Sequence, residues 1–464
     1  MRYMTIPLLL LLLVMMPFGK GAVGPLGQRS LPCGGVQQAP LPHHQEPYSV
    51  DSGVYNGGVG IPDRPDFRAV VRVPGATWIR LHFGDYNLGE RSYLTITSLK
   101  DGRSQHLNAR SIGHWGGSSA FFNGDAVEIR LHVAPEEQNV FFRVVRVTVG
   151  DPVESARDLS TADASPQSIC GSTDDRVASG DPRVGRLVPV GCTGWITSNG
   201  VHLTAGHCAT PTITMQVLEF NVPSSECNGQ INHPDPADQY PVDQSSIIFS
   251  DDGRGDDWAV FDCFPSSETG LLPVQAQMAF YRMSRDDSPT TLRVTGYGRD
   301  NVPVGCTGDR NADSQTEQTD SGPYLGENFQ GDSIVWIEHQ VDTDGGNSGS
   351  PLIVEGTTTA IGIHTNGGCS VSDGSNAGTS FENDDLENAV QTFPGANMMY
   401  VDGGHPTNME DGTVFRPYKT VGAAVLNASG GERISIVTGS YNETLTVDKD
   451  VILEAPVGVV TIGQ

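Results

Sequence analysis

Three short segments place a histidine, an aspartate and a serine in chain order: Leu203-Thr204-Ala205-Gly206-His207-Cys208, Asp257-Trp258-Ala259-Val260-Phe261, and Asp344-Gly345-Gly346-Asn347-Ser348-Gly349-Ser350-Pro351-Leu352. A hydroxyl is a weak nucleophile until a neighbouring base takes its proton, and imidazole suits that task near neutral pH. A buried carboxylate behind the imidazole holds its tautomer and supports the imidazolium. Together these residue types suit acyl transfer through a covalent intermediate. Singly they say little. A lone histidine is more often structural than catalytic, and Gly-Asn-Ser-Gly is a common loop. Asp251, Asp252 and Asp256 crowd Asp257. Asp257 is preferred because the Trp-Ala-Val after it fits a buried strand, with Asp256 as the alternative.

The flanks strengthen each candidate. His207 follows the apolar runs Gly194-Trp195-Ile196 and His202-Leu203, so it emerges at a strand end. Glycines around Ser348 permit a tight turn whose N–H groups aim at a developing oxyanion, and Pro351-Leu352-Ile353-Val354 leads into a strand. Fifty residues separate His207 from Asp257, and ninety-one separate Asp257 from Ser348. In order and flanks the three segments resemble the chymotrypsin clan of serine peptidases. Thr-Ala-Gly-His-Cys is similar to that clan's Thr-Ala-Ala-His-Cys, with Gly206 replacing the second alanine, and Asp257-Trp258-Ala259-Val260 is similar to its Asp-Ile-Ala-Leu. There is no Gly-x-Ser-x-Gly elbow of the hydrolase kind.

The resemblance implies a double β-barrel with His207, Asp257 and Ser348 as triad and the Gly346 and Ser348 N–H groups as oxyanion hole. It also implies a disulfide between Cys192 and Cys208, which lie sixteen apart, the spacing of the family's histidine loop. Proximity in such a fold suggests Cys306 with Cys369, Cys227 with Cys263, and Cys33 with Cys170. No cofactor or metal is expected, and the absence of close Cys-x-x-Cys pairs argues against zinc.

Specificity reads two ways. Ile361-Gly362-Ile363-His364-Thr365-Asn366 resembles the V8-like glutamyl endopeptidase branch, whose Gly-Ile-His sets a histidine against the substrate carboxylate. Thr343, five residues before the serine, matches that branch's pocket threonine. Asp342 falls where trypsin-like enzymes carry a pocket aspartate, which would favour Lys or Arg and repel acidic substrates. Cleavage after Glu or Asp is favoured over cleavage after Lys or Arg. Asn347 lacks the charge with which trypsin-like zymogens pair a newly cut N-terminal amine, so that ion-pair switch should be absent. The V8-like branch shares this asparagine and uses its mature N-terminus in the pocket, which suggests processing near residues 165–180.

The elements around these residues read as mainly β. The chain has 464 residues with 56 Gly and 30 Pro, no sustained helical period, and apolar runs rich in Val, Ile, Thr and Tyr. Arg2 followed by an apolar core ending at Met16 describes a signal peptide over residues 1–22. Residues 23–65 read as linker or pro-segment. Residues 66–150 read as a β-sandwich-like domain with strands at Phe67–Val73, Thr77–Phe83, Ser92–Ser98, Val127–Val133 and Val140–Val149. A linker over 151–169, the peptidase over 170–395 and a short β-helix-like segment over 396–464 complete the expected order.

Eight cysteines and a signal peptide suit an oxidising, extracellular or periplasmic setting. A net charge of −27 makes nucleic acid an improbable partner. Nothing after the leader suits stable membrane insertion. The expected partners are protein or peptide substrates, and the expected state is a monomer. Two other classes compete with a peptidase: an esterase using the same triad, and a non-catalytic surface-binding protein built on a decayed peptidase.

Overall fold

The computed structural model describes residues 39–58, 67–152, 168–211, 215–285, 287–300, 310–393 and 398–463. The expected signal peptide, Cys33, Cys306 and much of both expected linkers lie outside these residues.

Two four-stranded antiparallel sheets form the first part of the chain. One runs His43–Asp51, Phe141–Gly150, Trp78–Asn87, Phe122–Asn123, and the other Phe67–Arg72, Ala126–His132, Tyr93–Ser98, Ser104–Leu107. In Tyr93–Ser98, Leu94 and Ile96 are buried while the residues between them are not, the period of a strand with one apolar face. They share a core with Leu81, Phe142, Ile129 and Leu131. The strand His43–Asp51 occupies a stretch expected to be linker. It is an edge strand in which Tyr48 and Val50 are only half-buried against the core and alternate with exposed residues, so its apolar face is short. Val188, Val217 and Ile231 join this same core from the following unit.

That unit begins with seven antiparallel strands in the order Gln239–Pro241, Val217–Glu219, Val184–Val188, Cys192–Ile196, His202–Thr204, Asp257–Phe261, Ile248–Asp251. Leu187, Leu218, Phe220, Ala259 and Phe261 fill its interior. A second antiparallel sheet runs Thr359–Asn366, Pro351–Val354, Thr291–Gly296, Gln318–Phe329, Val335–His339, Asn376–Ser380. The last strand pairs again with the first, His364 opposite Gly378, and so closes a six-stranded barrel. Leu292, Val294, Ile337 and Leu352 pack inside it. This is the double β-barrel of the chymotrypsin type, and His207, Asp257 and Ser348 meet where the segments that carry them come together.

Beyond residue 398, Met398–Val401, Glu432–Ile436 and Val451–Glu454 pair in parallel, as do Gly439–Tyr441 and Val460–Ile462. Tyr400 and Phe415 share a core with Phe381 and Val390, and Arg282 clasps Asp402 with bonds of 2.6 and 3.0 Å.

Candidate active site

The chain leaves strand His202–Thr204 in a short 3-10 turn over Gly206–Cys208, which brings His207 up beside Asp257, the first residue of its own strand. His207 Nδ1 lies 2.6 Å from Asp257 Oδ2, and the His207 N–H donates to Asp257 Oδ1 at 2.9 Å. The two bonds fix both the ring and its backbone on one carboxylate. On the far side of the ring, Nε2 lies 2.8 Å from Ser348 Oγ. The disulfide Cys192–Cys208 ties the histidine turn to the start of strand Cys192–Ile196.

Gly206, the departure from the clan's motif, has a local cause. A Cβ there would sit 1.7 Å from the Ser250 carbonyl oxygen, so no larger residue fits beneath that backbone. Asp256 is occupied elsewhere. It accepts from Trp258 Nε1 at 2.8 Å and from Ser250 Oγ at 2.9 Å.

The loop before Ser348 is pinned to the first barrel through Thr193. Its N–H donates to the Ser348 carbonyl, and its hydroxyl to the Gly346 carbonyl, both at 2.8 Å. Gly346 has φ +108°, and a Cβ there would meet the Tyr297 carbonyl oxygen at 2.2 Å. The turn therefore depends on glycine for conformation and for space.

The residues proposed for the pocket lie together in the second barrel, and all are buried. Asp342 turns both carboxylate oxygens to the backbone, accepting from the Cys170 N–H at 2.7 Å and the Asp175 N–H at 2.8 Å. Burial raises its pKa and these amides oppose that rise. Thr343 Oγ1 accepts from Asn376 Nδ2 at 3.0 Å, and the same amide group reaches the Ser168 and Val341 carbonyls.

His364 Nδ1 lies 3.1 Å from His339 Nε2, and the Val341 N–H donates to His339 Nδ1 at 3.2 Å. An amide can only donate, so His339 carries its proton on Nε2 and passes a hydrogen bond to His364 Nδ1. A neutral His364 then carries its own proton on Nε2. Burial pushes His339 down to about 3. Burial, with His339 and His207 nearby, holds His364 well below the usual histidine value.

His339, Asn376 and Thr193 were not singled out from the sequence. None sits in a recognisable motif; strand pairing in the second barrel brings His339 and Asn376 together, and Thr193 reaches the serine loop from the first.

Three expected disulfides require correction. Cys170 pairs with Cys369, not with Cys33, and Cys369 is thereby unavailable to Cys306. The bridge spans 199 residues of sequence, a separation that spacing cannot reveal. It forms because Asp342 and Asn376 hold the 168–175 segment against the loop that carries Cys369. Cys263 is a free thiol in the first-barrel core, where burial pushes its pKa up, and it does not pair with Cys227. It packs there as a small apolar side chain. Cys227 is itself disulfide-bonded.

Residues 172–382 match the family model described as Trypsin. No curated protein matches the chain. Among solved structures, a thermostable serine protease AL20 from an extremophilic microorganism is 14% identical with a TM-score of 0.34, over 46% of this chain and 98% of that one. A scabies mite inactivated protease paralogue is 17% identical with a TM-score of 0.31, over 45% and 97%. A heparin-binding protein, HBP, is 14% identical with a TM-score of 0.35, over 48% and 98%.

Proposed function

We propose that this chain, a serine endopeptidase that carries a trypsin-like domain over residues 172–382, works as an exported enzyme through Ser348, His207 and Asp257 and prefers to cleave after Glu or Asp. The observation that carries the catalytic part is the unbroken line from Ser348 Oγ through His207 to Asp257, with steps of 2.8 and 2.6 Å. His207 Nε2 takes the Ser348 proton as Oγ attacks the scissile carbonyl. The Gly346 and Ser348 N–H groups receive the oxyanion. His207 then gives the proton to the leaving amine, and water releases the acyl group by the same steps in reverse. Asp257 keeps the imidazole's proton on Nδ1 throughout and balances the imidazolium.

Preference for an acidic residue rests on the His339–His364 pair with Thr343. A chain of neutral imidazoles ending in a His364 N–H donor suits a carboxylate better than a cation. Cleavage after Lys or Arg needs an aspartate facing the substrate, and both Asp342 oxygens are already bonded to amides. Export is supported by the leader-like N-terminus and by disulfides such as Cys170–Cys369 and Cys192–Cys208.

A fluorophosphonate probe tests the chemistry on purified protein. Labelling that is lost in Ser348→Ala supports the proposal, and absence of labelling in the folded protein defeats it. A peptide library varied at the residue before the cut tests specificity, and turnover confined to Lys and Arg would refute the acidic preference.

A further inference from the structure

The turn that precedes Ser348 leans on a buried cation. Arg176 has a side chain 2% exposed and is gripped by Asp174 through bonds of 3.0 and 2.8 Å. Its Nη2 also donates to the Arg299 carbonyl at 2.8 Å, and the Arg299 N–H donates to the Gly345 carbonyl at 2.8 Å. The guanidinium is thus two hydrogen bonds from the residue before Gly346.

It also lies close to Asn347. A Cβ built on Gly298 would lie 2.2 Å from Asn347 Oδ1 and 2.4 Å from Arg176 Nη1, so carboxamide and guanidinium crowd over the same glycine. Asn347 Oδ1 in turn accepts the Asp344 N–H at 3.0 Å, which closes the turn. Burial alone would lower the Arg176 pKa, but Asp174, Asp344 and Asp300 hold it above its ordinary value, so the charge is permanent.

We infer that Arg176 is a positioning residue whose guanidinium braces the Gly345-Gly346-Asn347 turn, and that the oxyanion-binding geometry at Ser348 needs no newly cut N-terminal amine. The inference rests on the proteolytic reading above. Its physical logic is that an oxyanion hole works only if its donors are already aimed. A cation inside the wall fixes them in the intact chain. Arginine suits the place because its planar fork serves Asp174 and the Arg299 carbonyl at once, where lysine could not.

The test compares fluorophosphonate labelling of the intact chain, the chain cut between residues 153 and 167, and Arg176→Gln. The intact and cut chains should label within about threefold of each other, and Arg176→Gln should label at least about 100-fold more slowly, with KM for a peptide nearly unchanged. Low guanidinium should partly restore Arg176→Gly, a response that lost packing would not give. Labelling of the cut chain alone overturns the inference, as does Arg176→Gln labelling at the parent rate. If Arg176→Gln fails to fold, the intact-against-cut comparison decides. Should neither parent form label, the proteolytic reading itself has failed.

Discussion

Around Ser348 the polar groups form a line with a reactive end, whereas in the neighbouring wall they form a closed mesh. Asp257 and Asp342 mark the contrast, since both are buried aspartates beside the same serine loop. Asp257 faces an imidazole, a partner that can change its protonation during a reaction. Asp342 faces the Cys170 and Asp175 amides, which cannot. Burial gives a carboxylate leverage, but its donors decide whether that leverage serves chemistry or holds two segments together. Histidines divide the same way: His207 joins a carboxylate to a hydroxyl, while His339 joins an amide to another imidazole.

The contrast can be broken by mutation. Ser348→Ala should lower kcat by about a millionfold, with the melting temperature unchanged. Next, Asp257→Asn should cost about 10⁴-fold in kcat by favouring the wrong imidazole tautomer. Asp342→Asn, by contrast, should lose less than about tenfold in kcat yet lower stability by about 1–3 kcal/mol in denaturant melts, because buried backbone donors lose a charged partner. Reversal of that pair, with Asp342→Asn the worse for kcat, would erase the distinction between line and mesh.

A smaller effect sharpens it. His339→Leu removes the group that orients His364 and should raise KM for Glu substrates about tenfold, roughly 1.4 kcal/mol, while probe labelling of Ser348 stays the same. An unchanged KM would remove His339 from the specificity reading.

The smallest is a pH slope. His339 has a folded pKa of about 3, below its unfolded value of about 6.5. A histidine depressed in this way stabilises the fold above its unfolded pKa, and that contribution is lost as pH falls towards the folded value. Unfolding free energy should therefore drop between about pH 6.5 and about pH 3 by up to about 1.4 kcal/mol per unit from this group. His339→Leu should flatten the slope by that amount, and equal slopes in urea melts of parent and variant would count against a buried neutral His339.

What could be read from the sequence follows the range of each signal. His207 and Ser348 were legible because a few adjacent residues decide their local turns. Asp257 was legible by strand register, and the structure gives Asp256 to Trp258 and Ser250. The Cys192–Cys208 bridge spans sixteen residues and joins a strand to the histidine turn close by in sequence. Contacts made only when the barrel closes were not legible. His339 reaches His364, Asn376 reaches Ser168, and Cys170 reaches Cys369 across long stretches of chain. The strand His43–Asp51 escaped for another reason, since only Tyr48 and Val50 supply its apolar face and both are half-buried at a sheet edge. Asp342 was read from its position alone, and position does not say which way a carboxylate faces.

A peptidase is exposed to its own chemistry, and here the linkage between Cys170 and Cys369 changes the outcome. It closes a covalent ring that contains His207, Asp257 and Ser348. One cut anywhere inside the ring opens it into a linear strand without shedding a fragment, so a nicked molecule keeps all three residues on one covalent body. Two cuts are needed before anything is released. In a setting that preserves disulfides, the ring converts a single self-inflicted break from dismemberment into a scar.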